Sequence, residues 1–89
     1  MQLTATLKPE LKKIVVNINR ISGNDQSRAW VGLFDKNQTD NKQYVTYEYA
    51  KSDEILFDAP IKPSLYEIRF FTNSYVDVAR SNPVSIEGL

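Results

Sequence analysis

Proton transfer near neutral pH draws first on histidine, and this sequence has none. Cysteine is absent too, which removes thiolate nucleophiles, thiolate metal ligands and disulfides together. Ser–His and Cys–His nucleophile systems are closed by the same two absences. Carboxylates remain: Asp53 and Glu54 are adjacent, and Asp35 and Asp40 share one polar stretch. A catalytic pair needs burial and a positioned partner, whereas acids in loops ordinarily form and solvate turns. Neither spacing forces two carboxylates to face each other across a pocket, so no catalytic residue is expected. The three glycines, Gly23, Gly32 and Gly88, cannot assemble a phosphate-cradling loop.

Hard cations take oxygen ligands from loops, and the loops here are rich in Asp and Asn. The run from Asp35 to Asn41 begins like an EF-hand loop, but Asp40 stands where the sharp turn needs glycine and Thr46 where the bidentate glutamate belongs. Another calcium arrangement would use Asp25, Asp53 and Glu54, if the loops at Asn24-Asp25, Ser52-Asp53-Glu54 and Asn73-Ser74 converge at one end of the fold. Separate solvated turns are the stronger expectation, because no loop concentrates three carboxylates. A calcium- or membrane-responsive module in the manner of C2 domains is the alternative kept open on this ground.

Nucleic-acid binding is not expected. Lys8, Lys12 and Lys13 cluster without a stacking platform, and Arg28, Arg69 and Arg80 fall on different expected strands. Arg69 is expected as a surface cross-strand partner of Glu48. The positive pointer is a group of tyrosines. Tyr44, Tyr47 and Tyr49 offer more aromatic surface than one strand near an edge ordinarily buries, and tyrosine suits interfaces because its ring is dry and its hydroxyl wet. They are the candidate protein interface, with the backbone of the strand edge as a further means of pairing.

What must position these residues is a succession of short strands. Alternating runs recur about every ten positions between turn residues, the pattern of an all-β sandwich or barrel. Leu3, Ala5 and Leu7 form the first run, ended by Pro9. Ile14, Val16 and Ile18 lie on one face of the second. The stretch from Ala29 to Asp35 is apolar on both faces and is expected at the centre of a sheet. Gln43 to Lys51 forms the fourth strand, with Val45, Tyr47 and Tyr49 on one side and Tyr44 on the other. Ile55 and Phe57 mark a fifth strand, Leu65 to Thr72 a sixth and Tyr75 to Arg80 a seventh. Ser81-Asn82-Pro83 interrupts the ladder before Val84 and Ile86 resume it as an edge strand.

The 89 residues suit one domain, and 42% hydrophobic with 25% charged residues is ordinary for a globular chain with one core. Eleven basic residues balance eleven acidic ones, so no overall field steers the chain to an anionic partner. The absence of cysteine points to a cytoplasmic rather than an extracellular setting. Neither a secretory leader nor a transmembrane segment is expected. Asn37-Gln38-Thr39 is a glycosylation sequon that matters only on secretion.

Immunoglobulin domains place a tryptophan on the third strand and a tyrosine at the start of the sixth, two positions before the second bridging cysteine. Trp30 and Tyr66 occupy those places, and Val16 and Ile68 stand where the two cysteines would be. The expected fold is an immunoglobulin-like Greek-key β-sandwich of seven to eight strands, with Val16, Trp30, Tyr66 and Ile68 at a disulfide-free centre. The order Trp30-Val31-Gly32-Leu33-Phe34, Tyr44-Val45-Thr46-Tyr47, Ile55 to Ala59, Tyr66 to Phe71 and Ala79 to Val84 resembles the SKICH domain of autophagy-receptor and inositol-phosphatase families. The resemblance covers about three-quarters of the chain and implies an interaction or targeting domain that engages partner proteins or positions its parent at a membrane. The chain departs from that pattern where Arg28-Ala29 replaces an acidic residue before Trp30.

Overall fold

A computed structural model describes residues 1–19, 28–72 and 74–87. The alternating runs become eight strands: β1 (Gln2–Lys8), β2 (Lys13–Asn19), β3 (Trp30–Asp35), β4 (Thr46–Tyr49), β5 (Glu54–Asp58), β6 (Ser64–Phe71), β7 (Asp77–Arg80) and β8 (Val84–Ile86). They form two antiparallel sheets, β1-β2-β5 and β4-β3-β6-β7, with β8 continuing along the edge of β6 beyond β7. The chain crosses from sheet to sheet after β2, β4 and β5, so hydrophobic faces from distant parts of the sequence meet in one core. Among the described residues, no helix is long and apolar enough to cross a membrane.

Alternation explains the core. Leu3 and Ala5 of β1, Ile14, Val16 and Ile18 of β2, and Ile55 and Phe57 of β5 point inward from one sheet. Val31 and Leu33 of β3, with Tyr66, Ile68 and Phe70 of β6, meet them from the other. Val16 and Ile68 are fully buried without a covalent link. Tyr66 turns its ring into this core and donates its hydroxyl to the carbonyl of Lys62 at 2.6 Å, which locks the entry into β6. Burial, assisted by the nearby charge of Asp35, pushes the Tyr66 phenol above its ordinary pKa.

Trp30 is not at that centre. The register pairs Val31 with Phe70 and Leu33 with Ile68, so the inward parity of β3 belongs to Val31 and Leu33 while Trp30, Gly32 and Phe34 face away from the other sheet. A strand apolar on both sides gives no sign to its own alternation. Arg69 and Glu48 are not surface partners either. β3 lies between their strands, Glu48 shares the parity of Val31, and Arg69 lies opposite Gly32 with no exposed surface. Residues 20–27 and 73 lie outside the described residues, and the expected convergence of Asp25 with Asp53 and Glu54 therefore lies outside them too.

The two long sides of the sandwich differ. On one, Ser81 replaces a regular ladder step: its N–H donates to the Ile68 carbonyl at 2.8 Å while its hydroxyl accepts from the Ile68 N–H at 2.9 Å. Asn82 then reaches across to the other sheet. Its amide accepts from the Ala5 N–H and donates to the Ala5 carbonyl, both at 2.9 Å, occupying the place of a neighbouring strand on the free edge of β1. On the other side, among the described residues, no strand stands between the outer edges of β4 and β5. Asn82→Ala is expected to cost about 1–3 kcal/mol in urea unfolding, because it removes both bonds of a half-buried edge. A change indistinguishable from zero would mean that the contact does not hold the sheets together.

Candidate functional site

The outward face of the β4-β3-β6-β7 sheet carries a second packed layer. It exists because residues 36–45, between β3 and β4, fold back across the sheet rather than away from it. Asp35 starts the return by accepting from the Asn37 N–H at 2.9 Å and the Ser64 hydroxyl at 2.6 Å, bonds that lower its carboxyl pKa. Asp40 accepts from the Lys42 N–H at 2.9 Å. Both acids are turn formers, as local side-chain to backbone bonding by aspartate allows.

Beneath this segment lies Arg69. Its Nε donates to Glu67 at 2.6 Å, one terminal nitrogen to the Asn41 side-chain carbonyl at 2.9 Å, and the other to the Gln38 backbone carbonyl at 2.6 Å. Its guanidinium carbon stands 4.4 Å from the centre of the Phe34 ring. Glu67 also receives Arg80 at 3.2 Å, Arg80 donates to Asp77 at 2.8 Å, and Asp77 accepts from the Asn41 amide at 3.0 Å. The five side chains close a ring of two cations, two anions and one amide. A one-residue register shift opposite Phe70 and Phe71 makes that closure geometrically available. Without it, positions three apart on a strand point to opposite faces; with it, Asp77 and Arg80 share one. The Arg80 hydrogen bond is the chief cause that holds the Asp77 carboxyl down at about 2.

Aromatic rings fill the adjoining part of the layer. Trp30 lies flat on Phe71, with ring centres 4.0 Å apart and planes 13° from parallel. Tyr44, Tyr47 and Tyr75 stand edge-on around Trp30 at 5.8, 6.0 and 5.8 Å, their planes turned 70–80° from the indole. Tyr49 stands against Tyr47 at 5.7 Å. Gly32, between Trp30 and Phe34, permits this: a β-carbon there would come within 2.6 Å of the Phe34 ring, which is itself fully buried. Trp30, Tyr44, Tyr47, Tyr49, Ser74 and Tyr75 line an open depression of about 250 Å³.

The structure therefore brings Tyr44, Tyr47 and Tyr49 onto one surface. Tyr44 was expected on the opposite side of its strand, but β4 begins at Thr46, so alternation does not reach it and its ring comes to 5.3 Å from Tyr47. The sequence reading missed Trp30, taken for the sandwich centre, and Tyr75, whose position follows from the Asn41 amide donating to its carbonyl at 2.9 Å. Asp53 and Glu54 stand at the start of β5, where the Asp53 carbonyl accepts from the Ile18 N–H at 2.8 Å. Among the described residues, no group of three or more metal-ligating side chains assembles. Comparison of the chain with protein-family models, with curated proteins and with solved structures found no match.

Two outcomes test this layer. Arg69→Met leaves Glu67 buried with half its compensation and is expected to cost about 3–5 kcal/mol in urea unfolding, whereas adding Glu67→Gln to it restores most of the loss. The second concerns acid. The folded-state pKa of Asp77 lies near 2, below its ordinary 3.8, so its charge stabilises the fold above about pH 4 and that contribution is lost as pH falls toward 2. The stability gap between the wild type and Asp77→Asn, measured by thermal unfolding, should be widest near neutrality and shrink across that window.

Proposed function

We propose that this chain is a noncatalytic protein-interaction module, immunoglobulin-like and SKICH-like in type, which engages its partner through the aromatic face of the β4-β3-β6-β7 sheet. The observation that carries this reading is the exposure of four tyrosines around one tryptophan. Tyr44, Tyr47, Tyr49 and Tyr75 keep 37, 42, 54 and 49% of their surface in water although each packs against another ring. Rings already ordered by their neighbours lose little conformational freedom on binding, and tyrosine and tryptophan are the side chains that most often dominate interface energies. The Tyr66 hydroxyl bond to Lys62 and the sheet orders β1-β2-β5 and β4-β3-β6-β7 support the immunoglobulin-like assignment. The SKICH resemblance rests on the motif order in the sequence and adds the expectation of a targeting role.

Selection of a random-peptide library displayed on phage against the immobilised protein tests the reading. Peptides enriched on the wild type should be lost on Tyr49→Ser and on Tyr44→Ser, while the Tyr49→Ser thermal midpoint stays within a few degrees, since among the described residues the one ring Tyr49 packs against is Tyr47. Enriched peptides that bind both variants as well as the wild type would place recognition on another surface. A Tyr49→Ser variant that unfolds would show its ring to be structural.

A further inference from the structure

The aromatic depression is rich in hydrogen-bond donors. Within the described residues no hydrogen bond engages the hydroxyls of Tyr44, Tyr47, Tyr49 and Tyr75 or the indole N–H of Trp30, although the Tyr66 hydroxyl in the core is satisfied. Five donors thus belong to side chains that line a single opening, and among the described residues no carboxylate or carboxamide lines it. Its partner must bring acceptors and has few acceptors to receive its own donors beyond the hydroxyls themselves. Two cations are at hand: Lys42 stands 5.7 Å over the Tyr75 ring, and Arg28 is exposed beside the start of β3. A methylated ammonium, which an aromatic box often holds, would meet Lys42 already using one ring, and among the described residues no carboxylate lines the opening to receive it. The rings also offer no flat platform. Neighbours among Trp30, Tyr44, Tyr47, Tyr49 and Tyr75 meet at 70–87°, which makes ridges and slots.

We infer that the depression binds a proline-rich segment in the polyproline II conformation with an acidic flank. The inference rests on the interaction reading above and specifies its partner. A polyproline II segment presents free backbone carbonyls, and its prolines carry no N–H in need of an acceptor. Its ridged profile matches slots between upright rings, and its stiffness lowers the entropy lost on docking. Acidic residues beside the prolines meet Lys42 and Arg28 at the rim.

The sequence has one tryptophan, and it lies in the depression, so intrinsic fluorescence of the whole protein reports on this site. Titration with a decaproline peptide ending in glutamates should give a saturable change, weakened by salt and by exchanging the glutamates for lysines. The same peptide with alanine for proline should give little. Tyr44→Phe and Tyr49→Phe keep the rings and remove one donor each, so each should weaken binding about threefold to tenfold at unchanged thermal midpoint. No response to the proline peptide, or an equal response to the alanine peptide, overturns the inference. So does preferential binding of a thymidine decamer or of cellohexaose, which would assign the site to single-stranded nucleic acid or to sugar. Peptides from the display selection that need Tyr49 but contain no proline would overturn this inference and leave the interaction reading standing.

Discussion

Arg69 has no exposed surface, yet it projects from the face of its sheet that is turned away from the partner sheet. A guanidinium can lose its water only where its N–H groups find acceptors and an opposite charge stands close, because the desolvation cost otherwise exceeds any Coulombic return. Glu67 is the near charge, but a strand neighbour two positions away covers only one edge of the group. The remaining acceptors come from Gln38 and Asn41, which belong to the connection between β3 and β4. Burial of this one cation therefore dictates that the connection returns over the sheet. The covered face, in turn, lets β3 and β6 carry apolar rings on both sides.

Everything placed by that connection inherits its rigidity. Asn41 holds Asp77 by its side chain and Tyr75 by its backbone, while Phe34 and Phe71 support Tyr44 and Trp30 from below. The aromatic face and the charged ring adjoin in one layer on the outward side of the sheet. The charged ring and the aromatic face are consequently coupled in one direction. Loss of the charged ring disturbs the aromatic face, whereas removal of an outer hydroxyl leaves the ring intact.

The sandwich also treats its two open sides unequally. A carboxamide standing in for a strand stitches β1 to the joint between β7 and β8, which satisfies the edge of β1 at Ala5. Among the described residues no strand pairs with the outer edges of β4 and β5, and β4 carries Tyr47 and Tyr49. An extended ligand seated among the tyrosines would run beside backbone groups that still have hydrogen-bonding capacity. Under the proposed reading, side-chain and main-chain contacts to such a ligand would be adjacent on this face.

Much of this was legible before any coordinates. The period of two, punctuated by Pro9, Pro60, Pro63 and Pro83, located all eight strands, and the doubly apolar stretch from Trp30 to Phe34 marked β3 as central. The missing histidine and cysteine bounded the chemistry by residue type alone, which needs no geometry. The sequence also named three of the ring residues, because an excess of tyrosine on one strand is visible as composition. It could not choose the face of Trp30, because alternation in a strand that is apolar on both sides has a period but no sign. Nor could it place Tyr44, which precedes the ladder and so escapes its parity. Arg69 read as a surface residue because charge implies exposure until a covering segment supplies acceptors from 28 and 31 positions away. Asn82 and Ala5, 77 positions apart, leave no local pattern at all. Local periodicity determined which strands this protein has; bonds between residues distant in sequence decided which face of one sheet became a second packed layer and, through it, the aromatic surface.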